Sequence, residues 1–124
     1  MNQKRPVNLD LTTLHFPIMA ITSILHRISG IGIFFLLPYM MYFLHQSLSS
    51  PETFLDLQYQ LQHPFNKLLI WVFSSALAYH LMAGIRHIIG DFGYGETVNV
   101  AKKSAYVLLA LTVVATIALG VWIW

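Results

Sequence analysis

Three runs without a single Asp, Glu, Lys or Arg dominate this sequence: residues 28–44, 68–85 and 104–124. Each is about long enough to cross a hydrocarbon core of roughly 30 Å as a helix. Inside lipid every backbone N–H and C=O must find its partner within the protein, and a helix does this within a single segment. The expected fold is therefore all-α, an integral membrane protein with three transmembrane helices. A soluble bundle of buried helices would need polar faces at helical period, and the third run has almost none. Composition agrees, with 56% hydrophobic and 10% charged residues where soluble domains carry about a quarter charged.

The runs place spans at about 22–48, 65–89 and 104–124, within a transmembrane domain covering 18–124. A polar arm, residues 1–17 (MNQKRPVNLDLTTLHFP), precedes them. The first run starts well into the chain, is too long for a secretory h-region and lacks a small-x-small cleavage pattern after it, so it is expected to remain in the mature protein. Pro17 can open the first helix, and Pro38 lies inside it as a candidate kink. Ser49, Ser50 and Pro51 form a turn cluster before a short amphipathic piece. Pro64 starts the second helix, and GDFGYGE at 90–96 breaks it. The DFG there matches a kinase tripeptide by letters alone, since no Gly-rich loop, strand lysine or catalytic-loop motif accompanies it.

Lys4, Arg5 and Arg27 precede the first span, and Arg86, Lys102 and Lys103 lie between the second and third; only Lys67 borders the first connection. Positively charged loops stay on the cytoplasmic side, so the N-terminus is expected inside, with the first connection and the C-terminus outside. Trp122 and Trp124 suit an interfacial anchor there. A net charge of +2 with no basic stripe gives no reason to expect nucleic acid as a partner, leaving lipid and other membrane chains.

With no cysteine, neither disulfides nor thiolate metal sites are available, and metal chemistry falls to imidazole. Of six histidines, His45 and His63 sit at the water boundary and His15 in the arm. His80 lies deep in the second span, roughly 9 Å inside Arg86 at a 1.5 Å rise per residue. Ionisable groups at such depth face a bundle interior, a partner or a cofactor. His80, Gly84 and His87 stack on one helix face at i, i+4 and i+7, and Ser23, His26, Arg27 and Gly30 do the same in the first helix. Two polar helix faces with glycine notches can frame a haem, with imidazole on iron and propionates toward Arg27, His26 or His87. They can equally be small-residue helix packing with snorkelling charges. One buried imidazole is half of a low-spin ligand set, which points to a second membrane subunit completing the site.

At RPVNLDL, SILHRISG and ALAYHLMAGIRHIIGDFGY the chain resembles the cytochrome b large membrane-anchor subunits of bacterial succinate dehydrogenase, respiratory complex II. The resemblance covers nearly the whole chain. It implies half of a haem-binding helical bundle, completed by a second, smaller anchor subunit that gives the other axial histidine to a shared haem b. It implies His80 as the axial ligand to iron; His26, Arg27 and His87 near the propionates; Gly30 and Gly84 packing against the haem; and Ser23 and Arg27 in the ubiquinone pocket. It further implies an iron-sulfur subunit and a flavoprotein subunit, the latter oxidising succinate, and a place in the bacterial inner membrane. Two other readings stay open: an anchor running in the fumarate-reducing direction, and a small non-haem scaffold or transporter subunit using His80 and Arg27. A transporter should show paired broken helices or midplane charges, which the sequence lacks.

Overall fold

The computed structural model describes residues 10, 15–95 and 97–124, so nearly all of the 1–17 arm lies outside the described residues. Four helices follow in order: α1 (Ile18–Ser49), α2 (Pro51–Leu61), α3 (Pro64–Asp91) and α4 (Val98–Ile123). Among the described residues there is no strand. α1, α3 and α4 are each long and apolar enough to cross a membrane. This is a multi-pass, all-α integral membrane architecture.

Helix ends are set by local chemistry. α1 follows Pro17, whose backbone is extended, and is continuous through Pro38. Ser50 then has fully extended backbone, ending α1 and capping α2. Its hydroxyl accepts from the Thr53 amide at 3.1 Å, and its own amide donates to Thr53 Oγ1 at 3.0 Å, a reciprocal capping box with Pro51 in the first turn. The turn cluster expected at 49–51 is thus a one-residue hinge between two helices. His63 caps α3, its Nδ1 accepting from the Phe65 amide at 3.2 Å ahead of Pro64. After Asp91 the chain turns through Gly93 and Gly95, with φ of 85° and 76°, the left-handed backbone that glycine adopts at little cost. Thr97 caps α4 through the Val100 amide, so α4 begins about two turns before the apolar run at 104.

α3 is the central helix, packed against α1 on one side and α4 on the other; α1 also touches α4, and α2 rests on α1 and α3. α1 and α4 each run antiparallel to α3. Thr22 of α1 meets Tyr79 of α3, while Tyr39 meets Asn66. Arg86 of α3 meets Ser104 of α4, while Trp71 meets Thr116. The interior is small: Tyr79, Ala83 and Leu108 form its centre with Met82 and Leu109 against it, and Ala105 is fully buried nearby. Alanine and glycine at the crossings let the helices approach closely, as packing without a hydrophobic driving force requires. Bulky apolar side chains point outward instead, Phe34 and Phe35 among them. In water that surface would be a liability; in hydrocarbon it is the solvated face.

Candidate functional site

The polar side chains of α1 and α3 meet at the end of the bundle where α1 begins and α3 ends. Tyr79, 5% exposed, donates its hydroxyl proton to the Thr22 carbonyl at 2.7 Å and fixes the rotation of the two helices there. One turn further along α1, the His26 and His80 rings face each other, centroids 4.2 Å apart and planes inclined by 42°. His26 joins the deep imidazole as its direct neighbour, a closeness that spacing within one helix could not show.

The glycine notches are used reciprocally. A Cβ on Gly30 of α1 would lie 3.1 Å from His80 Cε1, and one on Gly84 of α3 would lie 3.9 Å from His26 Nε2. Each glycine thus faces the imidazole of the opposite helix. The physical reason is the close α1–α3 crossing, which leaves ring-sized space only where a side chain is missing.

His80 is held at one nitrogen. Its Nδ1 lies 2.9 Å from Ser29 Oγ and 3.2 Å from the His26 carbonyl oxygen. Ser29 Oγ itself donates to that same carbonyl at 2.7 Å. A carbonyl only accepts, so the arrangement satisfying all three contacts puts the proton on His80 Nδ1, shared between Ser29 Oγ and the His26 oxygen. Nε2 then carries a bare lone pair, and among the described residues it has no hydrogen-bond partner. This is how metal-ligating histidines are prepared, with the far nitrogen donating to a carbonyl or hydroxyl. Ser29 stands in the SILHRISG motif, but its place off the 23/26/27/30 face left it out of the expected site.

Above the two rings a cavity of about 230 Å³ is lined by Ser23, His26, Arg27, Ala83, Arg86 and His87, together with Met19, Thr22 and Leu108. It gathers four of the residues singled out from sequence: Ser23, His26, Arg27 and His87. His80 lies beneath, against His26, and does not line it. Among the described residues His26 Nε2 is buried without a partner, one polar atom still to be met. His87 is largely exposed, with Nε2 3.8 Å from Asp91 Oδ2 one turn on, a pair worth at most a small surface contribution. Arg86 enters the site in a role the sequence did not disclose. Its Nε donates to Ser104 Oγ at 2.9 Å and Nη2 to the Ala101 carbonyl at 3.0 Å, clamping α3 to α4 while lining the cavity. A larger groove of about 800 Å³ opens on the other side of Arg86, between the ends of α3 and α4. Its walls are mainly apolar (Ile85, Val100, Leu111 and neighbours), and the chemistry-bearing groups cluster instead in the smaller cavity.

Among the described residues no three His or carboxylate groups come together as a metal site. The residues do suit a haem: a clamped imidazole with a free Nε2, an orphaned imidazole nitrogen beside it, and cationic side chains at the aqueous edge for carboxylates.

Comparisons with known proteins agree. The model of the succinate dehydrogenase/fumarate reductase transmembrane subunit family matches residues 1–119. The chain is 49% identical to the succinate dehydrogenase cytochrome b556 subunit of Coxiella burnetii over the full length of both. It is 32% identical to the cytochrome b556 subunit of Paracoccus denitrificans, over 91% of this chain and 87% of the relative. The cytochrome b560 subunit of Reclinomonas americana is also 32% identical, over 94% and 85%. With its three apolar helices and the paired histidines between α1 and α3, the chain belongs to the succinate dehydrogenase/fumarate reductase transmembrane subunit family.

Proposed function

We propose that this chain is the cytochrome b membrane anchor of a succinate:quinone oxidoreductase, with His80 as one axial ligand of a haem b shared with a second, smaller anchor subunit. The observation that carries the reading is the clamp on His80 Nδ1, which leaves Nε2 as the one unoccupied nitrogen of a half-buried, rotationally fixed imidazole. The haem, when bound, supplies a one-electron store near the quinone. His26, Arg27 and His87 then offer donors and positive charge to the propionates from the edge of the cavity. Gly30 and Gly84 pack against the haem, and their missing side chains give the tilted His26 and His80 rings room at the α1–α3 crossing.

Ser23 and Arg27 line the same cavity and form the quinone side of the site. A quinone carbonyl gains negative charge as it is reduced, and a guanidinium beside a hydroxyl can donate to that oxygen and hold it in place. The chain does not oxidise succinate. A flavoprotein subunit does so, and an iron-sulfur subunit docked at the Arg27 end delivers the electrons. This end faces the cytoplasm, because Arg27, Arg86, Lys102 and Lys103 lie with it and only Lys67 of the described Lys and Arg residues lies at the other, and the membrane is the bacterial inner membrane.

The test is the reduced-minus-oxidised spectrum of the purified complex. His80→Ala should remove the low-spin b-type signal or convert it to high spin; an unchanged low-spin spectrum would take His80 out of the ligand role. Orientation is tested separately, because the absence of native cysteine makes single introduced ones unambiguous. A cysteine replacing Ser50 should react with an impermeant maleimide from the periplasm, and one replacing Gly95 only from the cytoplasm.

A further inference from the structure

Ser29 belongs neither to the cavity nor to the helix face on which sequence placed the site, yet its hydroxyl contacts the His80 ring. We propose that Ser29 is a positioning residue for the iron-ligating imidazole: it fixes the tautomer and rotation of His80 and tunes how strongly Nε2 donates to iron. The proposal rests on the reading of His80 as an axial ligand.

The geometry forms a seat. Ser29 Oγ donates to the His26 carbonyl at 2.7 Å, which orients its lone pairs toward His80 Nδ1 at 2.9 Å. The carbonyl takes a second share of the same proton at 3.2 Å. Gly30, the next residue, lets the ring come so near α1 that a Cβ there would stand 3.1 Å from Cε1. The His26 ring lies against it, centroids 4.2 Å apart. Ser29 is thus the one side chain among these contacts that holds the ring by a directional bond at the nitrogen remote from the metal.

That bond has an electronic consequence. An acceptor on Nδ1–H draws the proton outward, enriches the ring and strengthens donation from Nε2, which stabilises ferric over ferrous iron. Removing the hydroxyl should therefore raise the haem midpoint potential. The His26 carbonyl remains as acceptor, so the change is partial. A threefold to tenfold shift in the ferrous-to-ferric ratio at fixed potential corresponds to about 30 to 60 mV for a one-electron couple. Loss of the directional hold also lets the ring rotate, which alters the low-spin ferric electron paramagnetic resonance.

The experiment compares Ser29→Ala, Ser29→Thr and His80→Ala in the purified complex, by optical redox titration and electron paramagnetic resonance at equal haem loading. Ser29→Ala should retain low-spin haem with a raised potential and a shifted largest g-value, and Ser29→Thr, which keeps the hydroxyl, should return both toward wild type. A packing role alone would lower haem content without moving the potential of the haem retained. Wild-type potential and g-values in Ser29→Ala, with low-spin haem lost in His80→Ala, overturn the role of Ser29 and leave the axial assignment standing. Low-spin haem persisting in His80→Ala overturns both. If Ser29→Ala fails to assemble, Ser29→Cys, close in volume but a poor acceptor, must show the same upward shift, and a wild-type potential in it overturns the proposal.

Discussion

At the end where α1 begins and α3 ends, the helices touch through groups that titrate or carry charge: His26 against His80, Ser29 on an imidazole nitrogen, Arg86 across to Ser104. At the opposite end the same helices touch through neutral donors already paired. Tyr39 donates to Asn66 Oδ1 at 2.7 Å, and Asn66 donates to the Gln60 carbonyl at 2.7 Å, tying α1 to α3 and the α2 end. Trp71 Nε1 donates to the Thr116 carbonyl at 2.8 Å over the flat surface of Gly120, tying α3 to α4. Lys67 lies 5.7 Å over the Trp124 ring, where the interfacial tryptophan expected from sequence meets the start of α3. The difference is in what is left over. One end retains an orphaned imidazole nitrogen and a cavity lined by cations, whereas what the other leaves without a partner is a neutral amide oxygen, Gln46 Oε1. The first end is built to receive something and the second to hold the bundle together.

Substitutions should separate the two ends by kind of effect as well as size. The largest contrast is between histidines. His80→Ala should abolish the low-spin haem spectrum, while His63→Ala, which removes only an α3 cap, should leave it intact and cost about 0.5 to 2 kcal/mol as caps do. Equal spectral damage from both would erase the distinction. Next come the glycines. Gly30→Ala drives a methyl to 3.1 Å from His80 Cε1, and overpacking of this kind costs typically about 1–3 kcal/mol. Its signature should be a perturbed haem spectrum. Gly120→Ala meets Trp71 Nε1 at 3.3 Å and should lower thermal stability of the complex with the spectrum unchanged. The smallest effects belong to Trp71→Phe and Tyr39→Phe, each losing one neutral hydrogen bond of about 0.5–1.5 kcal/mol. Melting of the detergent-solubilised complex should register them, and the haem potential should not.

How much of this could be read from the chain follows the same division. The three spans were legible because charge is so costly in hydrocarbon that its absence over 28–44, 68–85 and 104–124 marks segments made for lipid. Helix ends were less so. α4 starts at Val98, since Lys102 and Lys103 are good helix formers beyond the bilayer and Thr97 supplies a cap. Within the site, helical spacing put Ser23, His26 and Arg27 on one face and His80 with His87 on another, and the cavity draws on both. Spacing describes one helix, however, and the rotation of α1 against α3 is set by contacts such as Tyr79 to Thr22. Ser29 on His80, the reciprocal seating of rings in the glycine notches and the Arg86 clamp all depend on that rotation. None could be read from either helix alone.

Delivery of electrons to quinone at the Ser23–Arg27 end of this chain is tested most directly by the ratio of quinone-dependent to dye-dependent succinate oxidation in complexes of equal flavin content. A soluble dye takes electrons upstream and reports an intact flavoprotein. Arg27→Leu removes a fixed cation and several donors at once and should collapse the ratio. Ser23→Ala removes one hydrogen bond, about 0.5–1.5 kcal/mol, and should lower it by roughly 2- to 13-fold, while Tyr39→Phe at the opposite end should leave it at the wild-type value. A wild-type ratio in both Arg27→Leu and Ser23→Ala would contradict this assignment and move the quinone site elsewhere.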